Sequence, residues 1–336
     1  MRLAQIVFTR LVLLLLVVAL GVCARAAEIV HDISTSSLVI PASSTDSYVV
    51  TGSTTNARHY VLVSSGFHGT ITLRDVSMQF SSSGGSVNYS PITIKGQNNC
   101  SNLTPVTKVT LILQGYNYIS NSGSGRACIQ VEQGAQVHIR AINPSFNASG
   151  TLCAIQQNSD GGAAIGALNR LQNSSEATGT SPLGTATYED ARNRVTTAGG
   201  NVVISSGIIT ARGGHGAGIG GGYGTYYNGI IFIYGGIVNA YTIRHSAGIG
   251  SGCPTGYGVL DNFATNSTTI VLPPAQISAY GATANEFFKL ARLGLAGTKT
   301  LVYIGDENKP QITVKTVDNE PGIDVYADLG NDTNVL

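Results

Sequence analysis

The sequence predicts an all-β protein whose chain winds into a parallel β-helix. Glycine makes up 42 of the 336 residues, without the G-X-Y period of collagen. Only 11% of the residues are charged, against about 25% in an average domain, whereas 43% are hydrophobic. A charged, disordered chain is therefore excluded, and the apolar side chains suffice for a core. Short, similar segments also recur along most of the chain.

The clearest repeat lies in the second half of the chain and ends in the letters AGIG. Gly207 matches Gly236, and Ile219 matches Ile249, so the two copies keep nearly the same spacing throughout. A unit this short does not bury a core alone, but stacked copies bury a continuous one. The copies are VVISSGIITARGGHGAGIGGG (202–222) and IFIYGGIVNAYTIRHSAGIGSG (231–252), with weaker ones ending in AAIG (163–166) and spanning TIVLPPAQISAY (269–280).

Each unit has the hydrophobic period of a strand. In NVVISSGIITA an inward row drawn from Val202, Ile204, Ile208 or Ile209 alternates with small or polar residues. The glycines provide sharp corners between strands, and the isoleucine of AGIG is expected to point into the coil. A β-sandwich also has short strands, but it does not predict nearly identical turns at a fixed interval.

An earlier repeat has a longer interval between its copies. TITLRDV (70–76) matches TLILQGY (110–116), and a second short strand follows each copy. These second strands are ITIKG (92–96) and IQVEQG (129–134). Three short strands and two or three bends per coil fit a single-stranded solenoid.

The N-terminus is predicted to be a signal peptide, residues 1–26. Arg2 and Arg10 flank the start of LVLLLLVVAL (11–20), and Ala24-Arg25-Ala26 offers small residues for cleavage. The apolar run is shorter than the roughly 20 residues of a membrane span. Secretion without a membrane span is therefore expected. The remaining chain has 16 basic and 18 acidic residues, a net charge of −2, which does not indicate nucleic acid as a partner.

The β-helix is predicted to span residues 27–284. The polar stretch 167–199 separates AAIG from NVVI and is predicted to be a loop inserted in the stack. Residues 285–336 lack the repeat and are predicted to form a C-terminal cap or a small β-unit. In that segment NEFFKLARLGL resembles a short helix, and TLVYIG and QITVKTV resemble strands.

Four cysteines follow the signal peptide, and in an oxidising compartment they would form two disulfides in any of three pairings. They lack the C-x-x-C spacing of zinc sites. Seven sequons are possible glycan acceptors, so the chain is predicted to be a secreted glycoprotein. The cysteines are Cys100, Cys128, Cys153 and Cys253, and the sequons begin at Asn88, Asn99, Asn102, Asn147, Asn173, Asn266 and Asn331.

The order of these segments resembles secreted bacterial adhesin-like proteins with right-handed β-helix repeats, which often carry a carbohydrate-binding-domain label. The similarity runs over about residues 48–281, from YVVTGSTT and GTITLRDV to the two GAGIGGG-type turns. It implies a pectate-lyase-like architecture and attachment at a cell surface or outside the cell. The partner it implies is a polysaccharide or glycoconjugate, or a host or cell-surface protein.

The sequence matches a dinucleotide-binding motif and a calcium-binding turn only in part. Gly216-x-Gly218-x-x-Gly221 matches the letters of a dinucleotide motif, but residues 201–260 contain no Asp or Glu to hold the ribose. Calcium-binding solenoids place an aspartate in each glycine-rich turn, and GGYGT (221–225) has none. No cofactor and no metal ion are therefore predicted.

A polysaccharide-degrading enzyme, either a glycoside hydrolase or a lyase, is the alternative on the same fold. GHGAGIG (214–220) resembles the Gly-His-Gly segment of polygalacturonases, although the paired carboxylates that glycoside hydrolysis requires are missing from the best repeats. If the chain is an enzyme, its site is predicted at one corner of the coil, where the AGIG alignment brings His215 level with His245. The site would also include Asp160 and Arg244.

Tyrosines are the candidate ligand-binding residues of a non-catalytic protein. They are concentrated in the last repeats, and their rings stack on sugars at a low cost in conformational entropy. The first hypothesis is therefore adhesion or carbohydrate binding, the second is the enzyme, and the third is a structural surface spacer. The tyrosines are Tyr223, Tyr226, Tyr227, Tyr234, Tyr241 and Tyr280.

Overall fold

A computed structural model describes most of the repeat region. The predicted signal peptide, residues 1–26, lies outside the described residues. The structure describes backbone and side chains for residues 27–55, 59–81, 90–97, 102–123, 125–158, 161–168, 199–222, 229–242 and 248–250. For the strands at 268–271, 276–281, 302–304 and 312–316 it describes the backbone only.

The described chain is built from short strands, with one short 3-10 helix at Asn147–Ser149. Most strands have two to seven residues, and β9 has 15. In chain order they are β1 (Glu28–Asp32), β2 (Leu38–Ile40), β3 (Ser47–Thr51), β4 (Ser53–Thr55), β5 (Val61–Val63), β6 (His68–Arg74), β7 (Ser77–Phe80), β8 (Ile92–Ile94), β9 (Thr107–Asn121), β10 (Ile129–Val131), β11 (Ala135–Ala141), β12 (Gly150–Gln156), β13 (Ile165–Gly166), β14 (Asn201–Ile204), β15 (Ile208–Gly213), β16 (Ile219–Gly220), β17 (Ile230–Ile233), β18 (Ile237–Thr242), β19 (Ile249–Gly250), β20 (Thr268–Val271), β21 (Gln276–Gly281), β22 (Val302–Ile304) and β23 (Ile312–Thr316).

The strands form three parallel faces. Face A contains β1, β3, β6, the first half of β9, β11, β14, β17, β20 and β22. Face B contains β2, β5, β8, β10, β13, β16 and β19. Face C contains β4, β7, the second half of β9, β12, β15, β18, β21 and β23. Every strand pair among the described residues is parallel, so the fold is a parallel β-helix, and the β-sandwich alternative is wrong.

The strand register confirms the alignment of the repeats. Ile219 pairs with Ile249 across β16 and β19, and Ile165 pairs with Ile219 one coil earlier. All three isoleucines are completely buried, as predicted for the residue that fills each coil. In the earlier repeat Thr70 pairs with Thr110. Stacking therefore places equivalent residues of successive coils directly above one another.

Alternation along the strands builds the core. Val202, Ile204 and Ile209 are completely buried, whereas Ile208 is only half-buried and points outward on β15. The inward row is therefore Val202, Ile204 and Ile209, which resolves the alternative left open by the sequence pattern. These side chains belong to one hydrophobic cluster that runs from Ile33 to Ile249.

The corner between faces A and C repeats one backbone conformation. Gly52, Asp75 and Gly115 occupy it in three successive coils, and Gly207 and Gly236 in two later ones, all with a positive φ. The coil between these two groups has the longer connection 142–149 at this corner. Asp75, with φ +52°, is the one non-glycine residue with positive φ among the described residues, and its Oδ1 accepts the N–H of Tyr116 at 3.0 Å. Aspartate tolerates this conformation because its short side chain bonds locally.

The inserted segment joins the stack at both of its ends. The N–H of Ala167 donates to Gly220 O at 2.8 Å, and the N–H of Gly200 donates to Val131 O at 2.9 Å. Most of the predicted loop 167–199 lies outside the described residues, since only positions 167, 168 and 199 of it are described.

The C-terminal segment 285–336 contributes β22 and β23, which pair with β20 and β21 and so extend faces A and C. The predicted helix NEFFKLARLGL lies outside the described residues. In the part of the chain that the structure describes, no helix has the length and apolar character required to cross a membrane.

The disulfide prediction fails for the two cysteines that the structure describes, since Cys128 and Cys153 are both free. Cys128 is completely buried in the core, whereas Cys153 lies between the inward Leu152 and Ala154 and so points outward from β12. The two thiols thus lie on opposite sides of the coil wall. Cys100 and Cys253 are outside the described residues.

Candidate functional site

The most distinctive polar arrangement on the outer surface lies on face A, and we name it the face A patch. It comprises His138, Val203, Ser205, Phe232 and Tyr234, from three consecutive coils. His138, Val203 and Phe232 are in register across β11, β14 and β17. All five are half-buried and alternate with buried aliphatic residues, so their side chains face outward.

Two hydroxyl groups meet one imidazole nitrogen in this patch. Ser205 Oγ is 2.7 Å from His138 Nε2, and Tyr234 Oη is 3.1 Å from the same atom. When Nε2 carries no proton it accepts a hydrogen bond from either hydroxyl, and when it carries one it donates to either. The patch therefore presents a compact group of donors and acceptors on an otherwise rigid sheet.

The aromatic rings of the patch lie side by side. The ring centroids of Phe232 and Tyr234 are 5.2 Å apart and the rings are tilted by 49°. Those of His138 and Tyr234 are 6.0 Å apart with a tilt of 44°. Tilted pairs at this separation are favourable for aromatic rings, so the three rings support one another's orientation.

The surroundings of His138 favour its neutral form. Burial lowers the pKa of His138 below its usual value of 6.5, and the positive charge of Arg140 lowers it further. The imidazole is therefore largely neutral at pH 7, which leaves one ring nitrogen as an acceptor.

Face A also carries basic residues at both ends of strands β6 to β11, beside the patch, and we name this group the basic strip. It consists of His68 and Arg74 on β6, Lys108 on β9 and Arg140 on β11. His68 and Lys108 are exposed, and the two arginines are half-buried. Strands β6, β9, β11, β14 and β17 contain no aspartate or glutamate.

Two carboxylate groups at the corners of face A are engaged in local contacts. Glu132 lies at the corner between faces B and A, where its Oε1 is 2.8 Å from Lys95 Nζ and accepts a hydrogen bond from Gln130 at 2.9 Å. Its Oε2 accepts the backbone N–H of Gly96 at 3.3 Å. Asp75 is held at the A–C corner by its bond to the N–H of Tyr116. Within the described coils no group of acidic, cysteine and histidine side chains is arranged to hold a metal ion.

The structure describes one of the four residues of the predicted enzyme site. His215 is half-buried in the turn after β15. The pairing of Ile219 with Ile249 supports the offset on which its alignment with His245 depends. The other three members, Asp160, Arg244 and His245, lie outside the described residues.

The predicted tyrosines occupy two different faces. Tyr234 belongs to the face A patch. Tyr241 points outward on face C, where it is in register with Arg212 on one side and with the backbone of Tyr280 on the other. Tyr223, Tyr226 and Tyr227 lie outside the described residues.

The sequence analysis missed His138, Arg140, Ser205 and Phe232. The sequence contains a pattern that could have identified them. In QVHIR (136–140), NVVIS (201–205) and IIFIY (230–234), aliphatic residues alternate with the outward residues in the same way. The first two segments are far apart in the sequence, however, because the inserted segment lies between their coils. A search at the shorter offsets of the other repeats does not align them.

The described arrangement is suited to binding. Its groups are hydrogen-bond donors and acceptors, aromatic rings and cations on an open sheet face. Ser205 and His138 are within the distance of a nucleophile and its base. Strands β6, β9, β11, β14 and β17 offer no carboxylate beside them for acid–base hydrolysis of a glycosidic bond, and the carboxylates of face A, Glu28 and Asp32, are on β1. Comparison with known proteins adds no assignment: no known protein family, no curated protein and no solved structure matches this chain.

Proposed function

We propose that this protein is a secreted or cell-surface, non-catalytic β-helix protein that binds carbohydrate and serves in adhesion. The observation that carries the proposal is the face A patch, in which Phe232 and Tyr234 lie beside the hydroxyl–imidazole group of Ser205 and His138. The resemblance of the repeats to adhesin-like proteins points in the same direction.

The chemistry of the patch matches that of a sugar. Pyranose rings have apolar C–H faces that stack on aromatic rings, and hydroxyls that exchange hydrogen bonds with hydroxyl and imidazole groups. The sheet beneath the patch is held by inward Val202, Ile204 and Ile231, which are completely buried. Binding therefore orders little of the protein, which lowers its entropic cost.

Adhesion follows from repetition. Polysaccharides contain many copies of the same unit, so several weak contacts along one chain, or between several proteins and one surface, combine into strong attachment. A non-catalytic role requires no acid–base pair, in keeping with the chemistry of the described face A. The two alternatives remain predictions: an enzyme using His215, His245, Asp160 and Arg244, and a structural spacer.

The test is a glycan array probed with the secreted protein and with matched tyrosine variants. Tyr234→Thr removes a ring from the patch, whereas Tyr241→Thr removes an equivalent outward ring from face C. Threonine preserves strand propensity in both. We expect Tyr234→Thr to weaken binding on the order of tenfold, and Tyr241→Thr to change it less than twofold.

Two results would count against the proposal. An array without any bound glycan would contradict carbohydrate binding, provided that circular dichroism shows a folded protein. Loss of binding in Tyr241→Thr with full binding in Tyr234→Thr would move the site to face C. Release of reducing or unsaturated sugars from a bound polymer, abolished in His215→Ala, would instead support the enzyme.

A further inference from the structure

The charge distribution on face A indicates which kind of carbohydrate the patch would bind. Arg140, Ser205 and Tyr234 each directly follow one member of the in-register row Ile139, Ile204 and Ile233. Arg140 is thus one strand away from Ser205, or about 5 Å. The basic strip consequently begins at the edge of the face A patch and continues toward the N-terminal coils.

Among the described residues, none of the strip's cations forms an ion pair, and the acidic residues of face A, Glu28 and Asp32, are on β1, two strands from β6. Arg74 Nε donates to the neutral Gln114 Oε1 at 2.9 Å. His68 contacts the backbone oxygen of Val106 at 2.9 Å. Lys108 is exposed, and its strand neighbours in register are His68 and Gln136. By contrast, Lys95 at the corner between faces B and A forms an ion pair with Glu132.

We propose that the ligand of face A is an anionic polysaccharide, whose carboxylate or sulfate groups contact Lys108 and Arg140 while its sugar rings stack on Phe232 and Tyr234. This inference rests on the proposed function and narrows it to one class of ligand. Charge complementarity favours an anionic polysaccharide over a neutral one, because the face offers cations together with aromatic rings and no competing carboxylate on its central strands.

The dimensions fit a chain of several sugars. From Lys108 on β9 to Phe232 on β17 there are three strand steps, which correspond to about 14 Å. A linear polysaccharide lying across the strands would meet cations at one end of this path and rings at the other. Arg140 is on the intervening strand β11, four residues further along than the Lys108 row. Its planar guanidinium matches a carboxylate or sulfate group with two parallel hydrogen bonds.

The experiment compares polymers that share a backbone and differ in charge. Dextran sulfate is compared with dextran, and polygalacturonate with its methyl ester, by biolayer interferometry on immobilised protein at two salt concentrations. We expect binding to the charged member of at least one pair, weakening with salt, and little binding to its neutral partner.

Two double variants, each of which removes two positive charges, test whether the cations of face A bind the polymer. Lys108→Gln/Arg140→Gln removes two cations from face A, whereas Lys95→Gln/Arg212→Gln removes one from the B–A corner and one from face C. We expect the first variant to lose on the order of tenfold in affinity for the charged polymer and the second to change less than twofold. Equal losses in both variants would overturn the inference, since overall charge would then be the cause.

The remaining outcomes separate this inference from the proposed function. Equal binding of charged and neutral partners, lost in Tyr234→Thr, would leave carbohydrate binding intact and overturn the anionic preference. Failure of all four polymers together with an empty glycan array would contradict both. Equally tight binding of poly-glutamate or duplex DNA would show attraction to any polyanion and would overturn the assignment to a saccharide.

Discussion

At the scale of single residues, buried amides join successive coils. Asn117 at the A–C corner is completely buried. Its Oδ1 accepts the N–H of Val76 at 3.0 Å, and its Nδ2 donates to Thr151 O at 3.2 Å. One side chain thus links the coil before it to the coil after it. Buried polar groups of this kind stabilise only when their bonds are complete.

His138 leads to a prediction about pH. Its pKa is lowered in the folded protein, chiefly by burial. The neutral imidazole therefore contributes stability that is fully present above the unfolded pKa of about 6.5 and is lost as the pH falls toward the lower, folded value. We expect the melting temperature to fall between pH 7.5 and 5.5, and to fall less in His138→Gln, as measured by differential scanning fluorimetry.

A second variant separates the effect of Arg140 on the pKa of His138 from the effect of burial. Arg140→Gln removes the nearby positive charge that also lowers the pKa of His138. The fall in melting temperature over the same pH interval should therefore be reduced, but less than in His138→Gln, because burial remains. Identical falls in the wild type and in His138→Gln would show that other groups cause the pH dependence.

At the scale of elements, strands of only two residues are possible because glycine permits successive coils to stack very closely. Gly166, Gly220 and Gly250 end β13, β16 and β19, and their φ values are +135°, +132° and +129°. A Cβ on Gly220 would lie 1.9 Å from Gly250 O. The AGIG segment thus combines one aliphatic side chain for the core with one glycine for the approach of the next coil.

Substituting Gly220 should lower the stability of the protein for two separable reasons. Gly220→Ala introduces both a backbone clash and an unfavourable φ, and we expect it to lower the free energy of unfolding by about 3 kcal/mol. Gly66→Ala is the matched control, because Gly66 has φ +94° but a Cβ there meets only Ala42 Cβ at 3.5 Å. It should cost about 1 kcal/mol. Urea denaturation of both variants measures the difference, and equal costs would contradict the clash.

The fold could be predicted from sequence because the residues that determine it recur in nearly identical segments, although the insertion lengthens one of the intervals between them. Ile165, Ile219 and Ile249 fill the coil, and the glycine after each one permits stacking. The face A patch could not be predicted in this way. Its outward positions hold a different residue in each coil, and the long insertion between His138 and Val203 in the sequence conceals their pairing.

At the scale of the whole molecule, the length of the connections varies mainly at one corner. Between faces B and A the chain uses as little as Glu132–Gly134 and as much as residues 167–200. The strands on either side of the long connection keep the same parallel register, since β13 pairs with β16 and β14 pairs with β17. The stack therefore accepts a long insertion there without a change in its core.

Removing the insertion tests this independence. Replacement of residues 169–198 by a short flexible linker of Gly and Ser should leave the far-ultraviolet circular dichroism spectrum unchanged. It should change the melting temperature by less than about 4 °C, because loop closure depends weakly on length. Unchanged glycan binding is expected if face A is the site. Loss of binding with intact structure would favour the spacer hypothesis, in which the insertion makes the contact.

The alternation of inward and outward side chains has a consequence for how such a surface changes over generations. Outward positions form a grid with intervals of about 5 Å between coils and about 7 Å along a strand. His138, Val203 and Phe232 differ greatly in chemistry, yet all lie above the same kind of aliphatic interior. Mutation at a grid point changes the chemistry of the outer surface while the aliphatic scaffold beneath stays unaltered, so selection acts on the surface and on folding almost separately.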